Sequence, residues 1–154
     1  MCKILVSECL YGERIVRYDG RDKALSDPRF LKWKSEGRLI PVCPEILAGL
    51  PVPRAEAQRM GDQTISINGE DLSDIFHKAA DLTLATARNH DIAFVIFKEN
   101  SPSCGVRRTC DGTFSGKKIK KPGITAECLI AAGYKVFSDD EIDEAEQYAL
   151  LVLD

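Results

Sequence analysis

Three cysteines, Cys9, Cys43 and Cys104, each follow a stretch that reads as a buried β-strand. Lys3–Ser7 is an apolar run ending two residues before Cys9, and Leu39–Val42 runs directly into Cys43. Ala93–Phe97 is followed by Lys98 and a loop that carries Cys104 within Ser101-Pro102-Ser103-Cys104-Gly105. In open α/β sheets, ligands bind in the crevice beyond the carboxyl ends of the parallel strands, where the loops converge. Thiols placed on three such loops would meet at one point. Three ligands leave a four-coordinate metal, or a cubane, with an open position, which is what chemistry requires. No pair of the three is a Cys-x-x-Cys, so spacing by itself leaves a metal site and unrelated thiols both open.

The remaining cysteines separate by context. Cys2 precedes the first strand, and Cys128 sits among Ile124, Ala126, Leu129 and Ile130 on a helix, so both read as small packing hydrophobes. Cys110, in a loop before Asp111-Gly112, stays ambiguous. The two histidines, His77 and His90, fall on or just after the central helix, away from the expected sheet edge. Three thiolates without histidine suit an iron–sulfur cluster better than zinc, because soft ligands favour it.

Around the cysteines stand the other residues with chemical potential. Glu45, in Cys43-Pro44-Glu45, is either a solvated loop charge or, beside a metal site, a general base able to activate water. Ser101 and Ser103 flank Pro102, where serine commonly bonds the backbone; their active alternative is to hold a polar substrate edge. No Gly-x-Ser-x-Gly elbow accompanies them, which argues against a hydrolase triad. The loop Arg14–Gly20 is long and polar, as functional loops often are. Arg17 within it, Arg54 after Pro51-Val52-Pro53, and Lys98 at the end of the third strand are cations suited to an anionic group or to surface pairing.

The elements that must position these residues alternate. Asp27 reads as an N-cap with Pro28 at the first helical position, opening a helix that Gly37 closes. Leu72, Ile75, Phe76, Ala79, Ala80, Thr83 and Ala87 share one helical face, which predicts a central helix over Leu72–Asn89. Ile124–Ala132 is a shorter helix stopped by Gly133, Tyr134–Phe137 a fourth strand, and Asp139-Asp140 the cap of a last helix through Leu153. Thr64–Ile67 reads as an extra short strand or hairpin arm. The order predicts a single α/β domain over residues 1–154, with a mostly parallel, Rossmann-like central sheet flanked by helices and the metal site at the C-terminal ends of its strands.

Composition sets the class. The chain has 154 residues, 44% hydrophobic and 29% charged, as expected of one globular domain with one core. No apolar run approaches the roughly 20 residues that span a bilayer, and no leader pattern opens the chain. The expectation is a cytoplasmic protein with reduced thiols, in which six cysteines point to metal or catalysis rather than disulfides. A net charge of −3 makes no case for a stable nucleic-acid partner. A basic run, Arg107 to Lys121, and an acidic one, Asp139 to Glu146, read as solvated faces, or the basic one as a field for a phosphorylated small molecule.

Taken together, several motifs resemble one family. Ser7-Glu8-Cys9-Leu10 with Arg17-Tyr18-Asp19-Gly20, then Val42-Cys43-Pro44-Glu45, Gly49-Leu50 and Pro53-Arg54, look like the thiouracil desulfidases. Ser101-Pro102-Ser103-Cys104-Gly105, Asp111-Gly112-Thr113-Phe114 and Gly123-Ile124-Thr125-Ala126 complete the match over nearly the whole chain. The resemblance implies a 4Fe–4S cluster held by Cys9, Cys43 and Cys104 with one iron unligated by protein. It also implies Glu45 as acid/base with Ser101 nearby, and removal of sulfur from thiolated uracil or 4-thiouridine monophosphate as sulfide. Arg17, Lys98 and Ser103 are the candidate substrate contacts. Two positions depart from the family pattern: Cys110 replaces an expected tyrosine and Gln58 an expected glutamate, and both bear on substrate choice. A non-enzymatic cluster or sulfide-binding module is the rival class. A zinc nucleobase hydrolase is disfavoured by the lack of His-x-Glu with Pro-Cys-x-x-Cys.

Overall fold

A computed structural model describes all 154 residues. Four apolar runs become parallel strands: β1 (Lys3–Ser7), β2 (Leu39–Val42), β5 (Ile92–Phe97) and β8 (Val136–Ser138), in the spatial order β2-β1-β5-β8. Their runs are apolar at successive positions because helices cover both faces of the sheet. Ile4, Val6, Phe94 and Ile96 pack with Phe30 and Trp33 of α2 (Pro28–Ser35) and Ile142, Ala145 and Ala149 of α6 (Ile142–Val152). Leu5, Val95 and Phe97 point the other way, to Ala87 of α4 (Ser73–Arg88) and Ala126 and Leu129 of α5 (Ile124–Ala131). On the first face, Phe94 meets Trp33, Phe137 and Tyr148 edge-on, with ring centroids 5.8–5.9 Å apart. Pro41 sits within β2, which its missing N–H permits because β2 is an edge strand.

The strand order decides where a site can form. From β1 the chain crosses to β2 on one side, then returns to β5 and β8 on the other, so β1 and β5 flank the switch point at which α/β sheets open a crevice. The three cysteines leave the three adjacent strands β2, β1 and β5. Asp27 caps α2 as expected, accepting the Arg29 backbone N–H at 2.9 Å.

Several boundaries differ from the expectation. The last helix begins at Ile142 rather than at an Asp139-Asp140 cap, because Asp139 is drawn elsewhere. Its carboxylate accepts the Glu99 N–H at 2.9 Å and pairs with Lys98 Nζ at 3.2 Å. The fourth strand starts two residues later than expected, since Tyr134 still bonds back to the end of α5. Thr64–Ile67 belongs to a hairpin of β3 (Ala57–Met60) and β4 (Gln63–Ser66), whose first arm is polar and half-hidden in sequence. Two four-residue helices, α1 (Glu8–Tyr11) and α3 (Pro44–Leu47), were also unanticipated, as was the short ribbon of β6 (Thr109–Cys110) and β7 (Lys118–Ile119). No helix is long and apolar enough to cross a membrane.

Candidate active site

Beyond the carboxyl ends of β1, β2 and β5 lies a cavity of about 550 Å³. Cys9, Cys43 and Cys104 all line it, together with Glu45, Arg54, Arg17, Lys98 and Ser101. Each cysteine arrives on its own device. Cys9 is carried by α1, which ends at Gly12 in the left-handed region. Cys43 is the N-cap of α3, so the backbone N–H groups of Glu45 and Ile46 turn toward its sulfur. Cys104 sits at the end of a turn in which Ser101 Oγ accepts the N–H groups of Ser103 and Cys104, at 3.1 and 3.0 Å. That turn is pressed against the start of α5, whose Ile124 and Ala126 N–H groups donate to the carbonyls of Pro102 and Ser103. Gly123 allows the approach, since a Cβ there would lie 2.5 Å from the Ser103 carbonyl.

The electrostatics of the three thiols agree with their placement. All six cysteines are free. Burial, with smaller contributions from Asp22, Cys43 and Glu45, pushes Cys9 up to about 12. Burial and then Glu45 do the same for Cys43, to about 12. Cys104 is raised well above the ordinary thiol range by burial first, then by Glu45, and the Ser7 hydroxyl opposes the shift by bonding its sulfur. A thiolate set this deeply placed requires a strongly cationic partner. No group of three or more His, Cys, Asp or Glu side chains is arranged to hold a metal ion directly. A polynuclear cluster asks for something else: each thiolate binds a different iron, so the sulfurs stand at separate corners around a shared core. Three soft donors, two of them receiving hydrogen bonds at sulfur, around one roomy cavity fit such a group.

Glu45 and Arg54 form a nearly buried ion pair on the cavity wall, Arg54 Nη2 to Glu45 Oε2 at 3.1 Å, with side chains 8% and 13% exposed. The pair leaves Glu45 Oε1 buried and without any protein partner. Arg54 is thus committed to Glu45 rather than free for a phosphate.

The other sequence candidates divide. Arg17 lines the cavity but leans on Asp19 at 3.4 Å. Lys98 also lines it, paired with Asp139. Ser103 is fully buried, with an unpartnered Oγ, and stands outside the cavity wall, so the structure does not present it to a ligand there. Cys110 does line the cavity, from β6, opposite Lys118 of β7. The charged runs face each other: Arg107 bonds Glu141 and Arg108 approaches Asp140, so these two arginines are paired rather than merely solvated.

A sequence model described as 2-thiouracil desulfurase matches residues 4–141. The chain belongs to that family. It is similar to a solved structure of the 4Fe-4S-dependent thiouracil desulfidase TudS, at 38% identity and a TM-score of 0.95, covering 99% of this chain and 100% of the other. It is also 39% identical to the Bacillus subtilis (strain 168) uncharacterized protein YbbK, over 92% of this chain and 98% of that one. The α/β fold with its parallel sheet is therefore that of the desulfurase family.

Two residues of this desulfurase-family site escaped the sequence reading. Ser7, at the end of β1, is buried; its Oγ accepts the Lys98 N–H at 2.8 Å while its hydroxyl bonds Cys104 sulfur. Glu99, only 4% exposed, holds the chain just after Cys104: its Oε1 accepts the N–H groups of Val106, Arg107 and Arg108 at 2.7, 3.0 and 3.1 Å. A serine ending a strand and a glutamate in a charged stretch carry no spacing signal. The only sequence hint was that Glu99 lies two residues past a fully apolar strand.

Proposed function

We propose that this chain is a desulfidase that holds a 4Fe–4S cluster on Cys9, Cys43 and Cys104. It hydrolyses the carbon–sulfur bond of thiolated pyrimidines, 2-thiouracil or 4-thiouridine monophosphate, to the oxo product and sulfide. The observation that carries the reading is the meeting, along one cavity, of Cys9, Cys43, Cys104 and Glu45, whose buried Oε1 has no protein partner. When bound, such a cluster supplies an iron without a protein ligand, a Lewis acid for the thiocarbonyl sulfur.

The chain's own residues supply the rest. Arg54 fixes the Glu45 carboxylate through Oε2, so Oε1 keeps one orientation and has lone pairs free for a water proton. Glu45 takes that proton as the water oxygen bonds to the ring carbon, and returns it as the carbon–sulfur bond breaks; no electron is gained or lost. Ser101 Oγ, which accepts two N–H groups of its own turn, keeps its hydroxyl hydrogen available for a ring acceptor. Arg17 and Lys98 line the cavity, hold one aspartate apiece and stay about a third exposed, so each keeps N–H donors for a phosphate. Thiols that must remain reduced suit the cytoplasm.

The test is anaerobic reconstitution, followed by sulfide release from 2-thiouracil and from 4-thiouridine monophosphate. Glu45→Gln preserves shape but removes the base, so at matched iron content release falls by about 10²–10⁴-fold. A variant that keeps its iron and its rate makes Glu45 a bystander. No release by the parent leaves a cluster- or sulfide-binding module as the better reading.

A further inference from the structure

Arg59, on β3, buries its guanidinium; the side chain is 1% exposed. A cation taken this far from water persists only when it is paired and hydrogen-bonded. Here its donors tie three segments together. Nε donates to the Gly61 carbonyl at 2.7 Å, in the turn of its own hairpin, and Nη1 to the Pro122 carbonyl at 2.7 Å. Nη2 pairs with Glu127 Oε2 at 2.6 Å, with the exposed Asp62 at 3.5 Å. Pro122 precedes α5 and Glu127 lies in its first turn, so the planar fork grips the start of that helix from two sides. The gripped turn holds Cys104. Helices leave their first N–H groups without internal partners; in α5 those of Gly123, Ile124 and Ala126 donate to the carbonyls of Gly105, Pro102 and Ser103 at 2.8, 2.8 and 3.0 Å. Those carbonyls lie on both sides of Cys104 in the chain. The contact has no slack, since a Cβ on Gly123 would meet the Ser103 carbonyl at 2.5 Å. No hydrogen bond of Arg59 or of this turn reaches α1 or α3, on which Cys9 and Cys43 are carried.

We propose that Arg59 is a positioning residue for Cys104: by clamping Pro122 and Glu127 it fixes the first turn of α5, and through that turn the place of the Cys104 sulfur on the cavity wall. The inference rests on the reading of Cys104 as a cluster ligand. Arg59 acts through the turn and not on substrate, because its donors are committed to the protein. The β3–β4 hairpin, which lies outside the parallel sheet, thereby becomes part of what holds one ligand of the three. Loss of the clamp leaves the Gly61 and Pro122 carbonyls without their donor and frees the start of α5 to shift. The tight seat of Gly123 on Ser103 passes that shift to Cys104 and spares the other two cysteines.

The experiment compares Arg59→Met, an apolar chain of similar reach, with Arg59→Lys, whose single ammonium meets part of the acceptor set but cannot span all three segments. Backbone amide chemical shifts of the cluster-free proteins report native-state geometry independently of how stable the fold is. In Arg59→Met the Ser103, Cys104 and Gly105 resonances move, while those of Glu8, Cys9 and Glu45 stay at the parent positions. Arg59→Lys falls between. In the reconstituted proteins the electron paramagnetic resonance signal of the reduced cluster, a signature of ligand geometry, changes in the same order. At matched iron content kcat for sulfide release from 2-thiouracil falls about 10–10²-fold while KM changes little, the scale of an ångström misplacement. Parent-like Ser103–Gly105 resonances and cluster signal in Arg59→Met overturn the proposal. So do resonances that move as much around Cys9 and Cys43 as around Cys104, since that is general loosening. Should Arg59→Met fail to fold, Arg59→Lys and Glu127→Ala, which cuts the clamp at its half-exposed end, are read in the same way; smaller movements confined to Ser103–Gly105 support the proposal, and none in either overturns it. If the parent takes up no iron, the cluster reading fails, and the chemical shifts of the cluster-free proteins decide separately whether Arg59 positions Cys104.

Discussion

Glu99→Ala removes the acceptor on which the backbone after Cys104 is wound. In the native chain one carboxylate oxygen accepts three backbone N–H groups at 2.7–3.1 Å, and Oε2 also approaches the Arg107 N–H at 3.2 Å. Glu99 is 4% exposed, so alanine leaves those donors largely without a replacement. Each unmet buried donor costs about 1–3 kcal/mol, and water entering from the side of Arg107 and Arg108 recovers part of that. The expected net loss is about 3–5 kcal/mol, a large share of the roughly 5–15 kcal/mol that a domain commands. Glu99→Gln keeps an oxygen at the same place and gives up only the charge assistance, for about 2 kcal/mol. Urea unfolding of the cluster-free proteins measures both values. Iron per chain after reconstitution reports the geometry of Cys104, and it falls furthest in Glu99→Ala. An alanine variant within about 1 kcal/mol of the parent, loading iron fully, would refute the idea that Glu99 holds this loop.

Other outcomes follow from the same site. Replacing Cys9, Cys43 or Cys104 by alanine abolishes the absorbance of the reconstituted cluster, whereas Cys2→Ala and Cys128→Ala leave it near the parent; equal loss from Cys128→Ala would show the ligand set to be wrong. Ser7→Ala deletes the hydroxyl donor to Cys104 sulfur and strands the Lys98 N–H, so the cluster's reduction potential, read by electrochemistry, moves down, because hydrogen bonds to cluster sulfur raise it. Gly123→Ala drives a Cβ into the Ser103 carbonyl, and iron loading falls while the sheet's circular dichroism persists. Cys9 and Cys43 titrate at about 12 in the cluster-free fold, above an unfolded thiol near 8.5. Below pH 8 the two states bind protons alike; as pH climbs from about 8.5 toward 12 the unfolded thiols ionise first, and the cluster-free protein loses stability. A Cys9→Ser, Cys43→Ser protein, compared by urea unfolding at pH 8 and 10, has a flatter profile.

What the sequence determined by itself is local and periodic. Apolar runs at Lys3–Ser7, Leu39–Val42 and Ala93–Phe97 read as buried strands, and Asp27-Pro28 as a helix start, because strand length and capping are written in neighbouring residues. The cysteines after those strands, and the motifs around them, were enough to single out Cys9, Cys43 and Cys104 and to place Glu45 among the candidates. What only the tertiary structure decided is which atoms face one another. The strand order β2-β1-β5, set by long-range packing, is what brings three loops to one cavity. Arg54 turned out to hold Glu45, and Asp139 to hold Lys98 and the Glu99 N–H instead of capping a helix. Ser103 was buried outside the cavity wall, the equally buried Ser7 reached Cys104, and Gln58 was locked by a loop more than fifty residues away. A side chain's hydrogen-bond partner depends on chain segments distant in sequence, and no period or spacing encodes which of its two ends, or which of its faces, the fold will leave free.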